Sequence, residues 1–274
     1  MKLNEKALVY IPKNKKVSNN KILCIAAHQD DIELFAYAHI HKAKISDYSF
    51  IGVVSTDGRN SPRTGKYKDY DDNMMILERQ KEQKNASEIG NYEAQIMLNY
   101  TSSEIKDKIN HDVIDDYIEI IKHYQPISIV THNLADKHPT HVGVVIKLIK
   151  ALRELNYLPK EFLGIEVWRD LDWVNEEDKV ILDCGENKQE QLDLLNVFPS
   201  QTVGGKRYDL AGVGRRYANA TFNESHAVDT YKMSQYAIDL LPLLIDKNLD
   251  ISEYILGFID RFKNDVKKMI NDLD

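Results

Sequence analysis

The 274-residue sequence has too little of several features to fit some common protein classes. Its two cysteines, Cys24 and Cys184, both lie in apolar stretches, which argues against a disulfide framework and predicts two core thiols. No apolar run approaches the length of a membrane span. Residues 1–20 are rich in Lys and Asn and lack the apolar stretch of a secretory signal. The sequence therefore predicts a cytoplasmic protein without a membrane partner.

An excess of basic residues is also missing, since 43 acidic side chains outnumber 36 basic ones and the net charge is -7. This balance argues against nucleic acid as the main partner, because phosphate binding needs a basic face. No repeat or low-complexity linker divides the chain. The length predicts one domain over 1–274, with a core at about 20–200 and a C-terminal elaboration of loop and helices over 201–274. The oligomeric state stays open, a homo-oligomer included.

Short apolar runs alternate with longer amphipathic segments along most of the chain. The pattern predicts strands at 21–27, 49–55, 95–98, 127–130, 162–167 and 179–184. It predicts helices at 32–44, 73–89, 112–123, 142–155, 187–197, 228–244 and 252–273. Strands that alternate with helices imply parallel βαβ units, so we expect an α/β fold with a doubly wound, mostly parallel sheet in three layers. In such sheets, ligands bind beyond the carboxyl ends of the strands.

Two polar clusters follow predicted strands. Residues 28–33, His-Gln-Asp-Asp-Ile-Glu, come directly after the strand at 21–27. Residues 138–141, His-Pro-Thr-His, end the polar segment 131–141 that follows the strand at 127–130. Imidazole and carboxylate are the ligands of catalytic zinc, which leaves one coordination position open for water. The sequence thus predicts a zinc site formed by His28, Asp31 and His141.

Two neighbouring side chains have the chemistry to assist such a metal. Asp30 could accept a proton from water as a general base, and His138 could polarise the substrate carbonyl or protonate the leaving amine. Each cluster also has a plainer interpretation. Adjacent aspartates at a helix start are common caps, and a His-X-X-His pair is often a surface feature. The metal hypothesis is favoured over these interpretations because both clusters lie beyond the ends of strands in the same predicted sheet.

At these residues the sequence resembles the PIG-L/LmbE family of zinc-dependent N-acetylglucosaminyl deacetylases. The signature Ala-His-Pro-Asp-Asp-x-Glu is matched at 27–33 with Gln29 in place of proline, and His-Pro-Asp-His is matched at 138–141 with Thr140 in place of aspartate. Further matches are Thr56-Asp57-Gly58, Arg79-x-x-Glu82 and Ser200-Gln201. The resemblance extends to about residue 200 and implies a Rossmann-like, LmbE-like fold.

The resemblance also implies roles for individual residues. It implies that His28, Asp31 and His141 bind one zinc ion, that Asp30 is the general base, and that His138 stabilises the oxyanion or protonates the amine. Other divalent metals suit the same ligands.

Three more positions take interpretations from the resemblance or from their neighbours. Arg79 would contact sugar hydroxyls, or else be a surface arginine paired with Glu82. Glu33 would orient a ligand or be a plain helix charge. Thr140 leaves His138 without a nearby carboxylate, which predicts a lower His138 pKa and a reduced or altered activity.

The expected function is removal of an N-acetyl group from an amino sugar or its conjugate. The alternatives are a non-catalytic carbohydrate-binding protein on the same fold and a metallo-amidase for a non-sugar substrate. Residues 204–226 are open to two interpretations: a loop that covers the site and selects substrate, with Arg216 or His226 reaching in, or a structural loop before the C-terminal helices. Residues 204–214 lack the position of a dinucleotide-binding fingerprint.

Overall fold

An eight-stranded sheet organises the chain in a computed structural model that describes residues 1–203, 205–221, 223 and 226–274. The strands β1 to β8 are Leu8–Tyr10, Lys21–Ala26, Ser49–Thr56, Ala94–Tyr100, Ser128–His132, Glu161–Ile165, Val180–Asp183 and Ser234–Asp239. The helices α1 to α11 are Asp31–Phe35, Tyr37–Ile45, Asp72–Ile89, Ser102–Lys106, Asp112–Tyr124, Pro139–Leu155, Lys188–Asn196, Pro199–Thr202, Tyr208–Thr221, Pro242–Ile245 and Ile251–Leu273.

The strand order is β1-β4-β3-β2-β5-β6-β8-β7. The neighbours from β4 to β6 pair in parallel, whereas β1 is antiparallel to β4, and β8 is antiparallel to both β6 and β7. Helices cover both faces of the sheet. The predicted α/β class with a doubly wound, mostly parallel sheet is confirmed.

Side chains of β2 alternate between two hydrophobic cores. Leu23 and Ile25 belong to the core under α5 and α6, while Ile22 and Cys24 belong to the core on the other face. All four are fully buried, as expected for a central strand packed on both faces. Cys24 and Cys184 are free and buried, which confirms their predicted place in the core.

The chain changes direction between β2 and β5. It runs outward from β2 through β3 to β4 and then returns to form β5 on the other side of β2. The connections leaving β2 and β5 therefore diverge, and they open a crevice at the carboxyl ends of these strands. Both predicted polar clusters begin there, so the topology itself brings them together.

The C-terminal part differs from the sequence-based prediction. The predicted loop at 204–214 is mostly helix α9, and the predicted helix at 228–244 contains strand β8 and the short α10, so both predictions are wrong. Within the predicted loop 204–226, Gly204, Phe222, Glu224 and Ser225 lie outside the described residues. The single-domain boundary over 1–274 stays a prediction. No helix in the described ranges is both long and apolar enough to cross a bilayer.

Candidate metal and active site

The turn after β2 holds its two aspartates in different ways. Asp31 begins α1, and its Oδ2 accepts a hydrogen bond from the His28 backbone N–H at 2.6 Å. Asp30 precedes the helix at φ 89°, in the left-handed region that few non-glycine residues occupy, and its side chain makes no capping hydrogen bond. The capping interpretation therefore does not describe Asp30, whose carboxylate is directed elsewhere.

The loop after β5 fixes the orientation of His141. This residue lies in the first turn of α6, two residues after Pro139, and it is only 1% exposed. Its Nδ1 lies 2.9 Å from Asp136 Oδ2, and the His138 backbone N–H donates to Asp136 Oδ1 at 2.7 Å. A proton on Nδ1 shared with the carboxylate leaves Nε2 with a free lone pair, as in histidines that bind metals.

Three ligand atoms from the two clusters converge. His28 Nδ1 lies 3.2 Å from His141 Nε2 and 3.2 Å from Asp31 Oδ2, and His141 Nε2 lies 3.4 Å from the same Asp31 oxygen. In a tetrahedral zinc site with bonds near 2.0–2.1 Å, neighbouring ligand atoms are separated by about 3.3 Å. The three predicted ligands thus have the spacing of one face of such a tetrahedron.

Two further histidines surround these three atoms. His132, which sequence reasoning missed, lies with Asp31 and His141 in a set whose ligand atoms are within 4.8 Å of one another. Its Nε2 already accepts the Ala27 backbone N–H at 2.9 Å, so that lone pair is engaged. His138 forms a second such set with His28 and His141 and is exposed at the crevice. His132 thus lies on the buried side of the cluster, whereas His138 lies on its exposed side.

Burial and the neighbouring side chains together set the protonation states of the cluster. It disfavours the Asp31 carboxylate, but His141 and His132 outweigh it and hold the pKa of Asp31 well below its usual value. Burial, followed by the neighbouring His132, lowers the pKa of His141 to about 4. Burial and the charge of His28 lower the pKa of His138 as well. At neutral pH, Asp31 is therefore anionic and His141 is a neutral imidazole, the forms that bind a cation.

Asp30 is paired with a buried arginine. Arg79 of α3 is 1% exposed, and its Nη2 lies 3.2 Å from Asp30 Oδ2. The Arg79 Nη2 also donates to the Gln29 carbonyl, while Nη1 donates to Glu82 at 2.9 Å and to Ser200 Oγ at 3.1 Å. Burial raises the pKa of Asp30, with Arg79 opposing that rise and Asp31 adding to it. A carboxylate with a raised pKa is a stronger base than an exposed one.

Arg79 is not the surface arginine of the alternative interpretation, although it does pair with Glu82. Both of its Nη atoms are engaged by protein groups, and its buried Nε has no partner among the described residues. The side chain borders the crevice, but its bonds hold the Gln29–Asp30 turn. Its predicted contact with sugar hydroxyls stays a prediction.

A buried glutamine occupies the position at which the family signature has proline. Gln29 is fully buried, and its Nε2 donates to the Thr56 carbonyl at 3.0 Å. Gly58 (φ +76°) lies beside it, where a Cβ atom would stand 2.4 Å from Gln29 Oε1. A side chain at position 58 would therefore be strained and would displace Gln29.

A cleft of about 520 Å³ adjoins the cluster at the carboxyl ends of β2 and β5, where the chain changes direction. His28, Asp30, Asp31, His138 and His141 line its inner end. Its walls and mouth are lined by residues 56–62, Ser102, Lys106, Lys137, Trp168, Gln201, Lys206 and Tyr208. The volume is in the range of pockets that hold a small-molecule ligand.

Other predicted contributors lie away from this cleft. Arg216 is 1% exposed and donates to the Glu33 and Leu34 carbonyls and to Gln191 Oε1, so the expectation that it reaches into the site is wrong. His226 is exposed and is not among the residues that line the cleft. Glu33 accepts hydrogen bonds from Tyr92 and Gln83 in the buried core and touches none of the three predicted ligands in the described part of the chain.

The positions of His132 and Asp136 beside the predicted ligands were not predicted from the sequence, because neither residue belongs to a short motif. His132 is the last residue of β5, and Asp136 stands five positions before His141. Their position between a buried strand and a His-X-X-His pair was a usable signal. Their roles, however, depend on how the intervening loop folds back.

The sequence is similar to those of known and inferred deacetylases. The family described as PIG-L, GlcNAc-PI de-N-acetylase, matches residues 23–152, which include both clusters. The uncharacterized deacetylase YaiS of Escherichia coli (strain K12) is 30% identical over 150 residues, which are 53% of this chain and 72% of that protein.

Solved structures share the fold at low sequence identity. The N,N'-diacetylchitobiose deacetylase of Pyrococcus horikoshii aligns with a TM-score of 0.67 and 16% identity, over 83% of this chain and 86% of its own. GalB, the 4-carboxy-2-hydroxymuconate hydratase of Pseudomonas putida KT2440, aligns with a TM-score of 0.58 and 12% identity, over 81% of this chain and 96% of its own. The fold therefore hosts more than one reaction, and the site must decide between them.

Proposed function

Since this chain belongs to the PIG-L family of deacetylases, we propose that it is a zinc-dependent hydrolase that removes an N-acetyl group from an amino sugar or its conjugate. The observation that carries this proposal is the spacing of His28 Nδ1, Asp31 Oδ2 and His141 Nε2, which are 3.2 to 3.4 Å apart at the inner end of a cleft. This donor set of two imidazoles and one carboxylate suits catalytic zinc. A bound zinc ion would polarise the acyl carbonyl and make water more acidic.

The protein's own groups then have separate tasks. Asp30 accepts the proton of the attacking water, whose oxygen adds to the acyl carbon. Arg79 holds Asp30 in place from behind, and Asp136 holds the His141 ring through Nδ1. When the carbon–nitrogen bond breaks, a proton must reach the amine nitrogen. His138, at the open side of the cluster, is placed to carry it or to donate a hydrogen bond to the oxyanion. The products are acetate and the free amine.

The non-catalytic alternative fits this arrangement less well. A binding protein has no need for a buried aspartate at φ 89° whose pKa is raised beside the ligand set. A non-sugar amidase would use the same residues at the inner end of the cleft as the proposed enzyme. The two alternatives are therefore distinguished only by which substrates are hydrolysed.

Acetate release tests the proposal directly. The purified protein, loaded with zinc, is assayed against N-acetylglucosamine glycosides and against N-acetyl amino acids of similar size. Release from the glycosides with rates at least tenfold higher supports the sugar deacetylase. Release from the amino acids alone replaces it with the amidase. Release from neither, with zinc bound, favours the binding protein.

A further inference from the structure

Helix α11 extends beyond the body of the protein. Ile255 and Phe258 in its first half are buried in the core under α5 and α6, whereas every residue from 261 to 274 is exposed. We call residues 261–273 the tail, which is about 20 Å long at 1.5 Å per residue. An isolated helix of this length is only marginally stable in water, because most helical stability in proteins comes from the packing of an apolar face. The tail therefore calls for a packing partner.

The tail continues the apolar face by which α11 packs on the body. Large apolar side chains recur at alternating steps of four and three residues, the spacing of a helix that packs along another helix. They are Ile255, Ile259, Phe262, Val266, Met269 and Leu273. The first is buried, and the other five are 39% to 84% exposed. Single exposed apolar residues are common, whereas a continuous stripe marks an interaction surface.

A groove of about 400 Å³ begins where this stripe meets the body. Its apolar lining comes from the start of α11 and from the first turns of α6 with the loop before them: Leu249, Ile251, Ile255, Leu134, Val142 and Ile146. The two basic residues of the lining, Arg153 and Lys247, donate to backbone carbonyl oxygens. Because Ile255 belongs to both the groove and the stripe, the two form one continuous apolar surface.

The two halves of α11 carry opposite charge. Residues 251–260 contain Glu253 and Asp260 and no basic residue, so their net charge is -2. The tail has a net charge of +2, from four basic and two acidic residues: Arg261, Lys263, Lys267, Lys268, Asp265 and Asp272. Two copies of α11 that lie antiparallel bring each acidic half against a basic half, whereas a parallel pair would bring like charges together. The charge pattern thus favours a second copy of this chain, in antiparallel orientation.

We propose that α11 forms a two-fold dimer, in which the tail of each copy lies antiparallel to α11 of the other copy and fills its groove. Such an interface uses the same surface on both copies. Phe262 is eleven residues from both Ile251 and Leu273. A two-fold axis near Phe262 therefore sets Leu273 of one copy beside Ile251, in the groove of the other. The groove and the cleft share no lining residue in the described part of the chain, so the dimer does not depend on the proposed function.

Sedimentation velocity on the full chain tests the dimer. We expect the wild type to have twice the mass of one chain, and Phe262→Glu with Val266→Glu to weaken association by about 100-fold or more. Both side chains are exposed, so the single chain should still fold. If the wild type forms a larger assembly, the double variant should halve its mass. The matched control is Leu77→Glu with Leu210→Glu, two exposed leucines of α3 and α9, which should keep the wild-type mass.

Two results would overturn the dimer. One is a mass that the double variant leaves unchanged. The other is a wild-type protein that stays monomeric up to a concentration of about 100 μM, a range in which specific homodimers form. Phosphatidylglycerol vesicles are added to the monomer in that case, because an amphipathic helix with basic residues can also bind an anionic lipid surface. Binding that Phe262→Glu with Val266→Glu abolishes would assign the stripe to lipid instead of a second copy.

Cysteine cross-linking tests the antiparallel orientation. Ser252→Cys and Leu273→Cys are made in separate chains, whose native cysteines are buried. In the antiparallel dimer the two copies of position 252 are about 30 Å apart, too far for a disulfide, whereas position 252 of one copy lies near position 273 of the other. We expect cross-linked dimer only after the two variants are unfolded, mixed and refolded together. Cross-linking of either variant alone, or none in the mixture, would overturn the antiparallel arrangement.

Discussion

The two ends of the central sheet carry similar polar side chains in opposite arrangements. At the amino ends of the strands, opposite charges and hydroxyls meet in pairs. Lys21 Nζ lies 2.7 Å from both Glu93 oxygens, Ser49 Oγ donates to Glu93, and Glu161 accepts from Ser128 and pairs with His39 at 3.3 Å. The two carboxylates are thus engaged by neighbouring donors.

At the carboxyl ends, imidazoles and carboxylates converge instead of pairing off. His28, His141 and Asp31 direct three ligand atoms toward one point, and Asp136 and His132 hold them there. A bound cation would complete such an arrangement. If the carboxyl end performs the proposed chemistry while the amino end stabilises the fold, substitutions at the carboxyl end should lower activity and substitutions at the amino end should lower stability.

The largest effect is expected at the carboxyl end from Asp30→Asn. Asparagine tolerates positive φ, so the turn at φ 89° should persist while the base is lost. We expect kcat for acetate release to fall by about 10³-fold, within the usual range for removal of a general base. Metal content, measured on the same samples, should stay at the wild-type level. Full activity in the Asp30→Asn protein would show that Asp30 is not the general base.

Arg79→Lys should reduce kcat by about 100-fold. One ammonium group cannot both reach Asp30, as Nη2 does, and keep the bonds of Nη1 to Glu82 and Ser200 that anchor the side chain. The matched control is Arg216→Lys, equally buried at 1% exposure but directed at the Glu33 and Leu34 carbonyls away from the cleft. Both variants should unfold at lower urea concentration. Equal losses of kcat in the two would show that Arg79 acts only on stability.

Thr140→Asp should produce a moderate change in the pH profile. Thr140 lines the cleft near His138, whose pKa is lowered by burial and by His28. A new carboxylate should raise that pKa, so a proton donor would remain protonated to higher pH and the alkaline limb of kcat would move upward. At pH 8 we expect kcat to rise about threefold. Thr140→Asn, which adds no charge, should not shift the limb, and an unchanged profile in both would count against His138 as the acid.

At the amino end, Glu161→Gln should leave activity within about twofold and change only stability. The hydrogen bond from His39, against the effect of burial, lowers the pKa of Glu161 from 4.5 to about 2. A carboxylate with a depressed pKa stabilises the fold above pH 4.5, and this contribution disappears as pH falls toward 2. Because the side chain is 32% exposed, the loss at pH 7 should be about 1 kcal/mol. Urea denaturation at pH 7 and pH 3 measures it, and an equal loss at both values would contradict the assignment.

The parallel half of the fold and the inner end of the site could be predicted from sequence because their signals are local. Buried strands such as Lys21–Ala26 are continuous apolar runs, and each polar cluster belongs to the connection that leaves its strand. Strand order then brings the clusters together, which is a consequence of topology that the alternation of strands and helices already implies.

The C-terminal part could not be predicted because its structure depends on distant contacts. Helix α9 contains Gly212 and Gly214, which lower intrinsic helix propensity. It is stabilised by Arg216, which bonds to carbonyls of the first helix, and by Gly212, which packs against Leu34. Strand β8 inserts antiparallel between β6 and β7, a pairing that no local pattern encodes.

The metal content of the purified protein tests the central claim most directly. Elemental analysis after dialysis against zinc is compared for the wild-type protein, His141→Ala at the carboxyl end and Glu161→Gln at the amino end. We expect about one zinc per chain in the wild type and in Glu161→Gln, and loss of zinc in His141→Ala. No zinc in the wild-type protein, or full retention in His141→Ala, would contradict a metal site at the carboxyl end of the sheet.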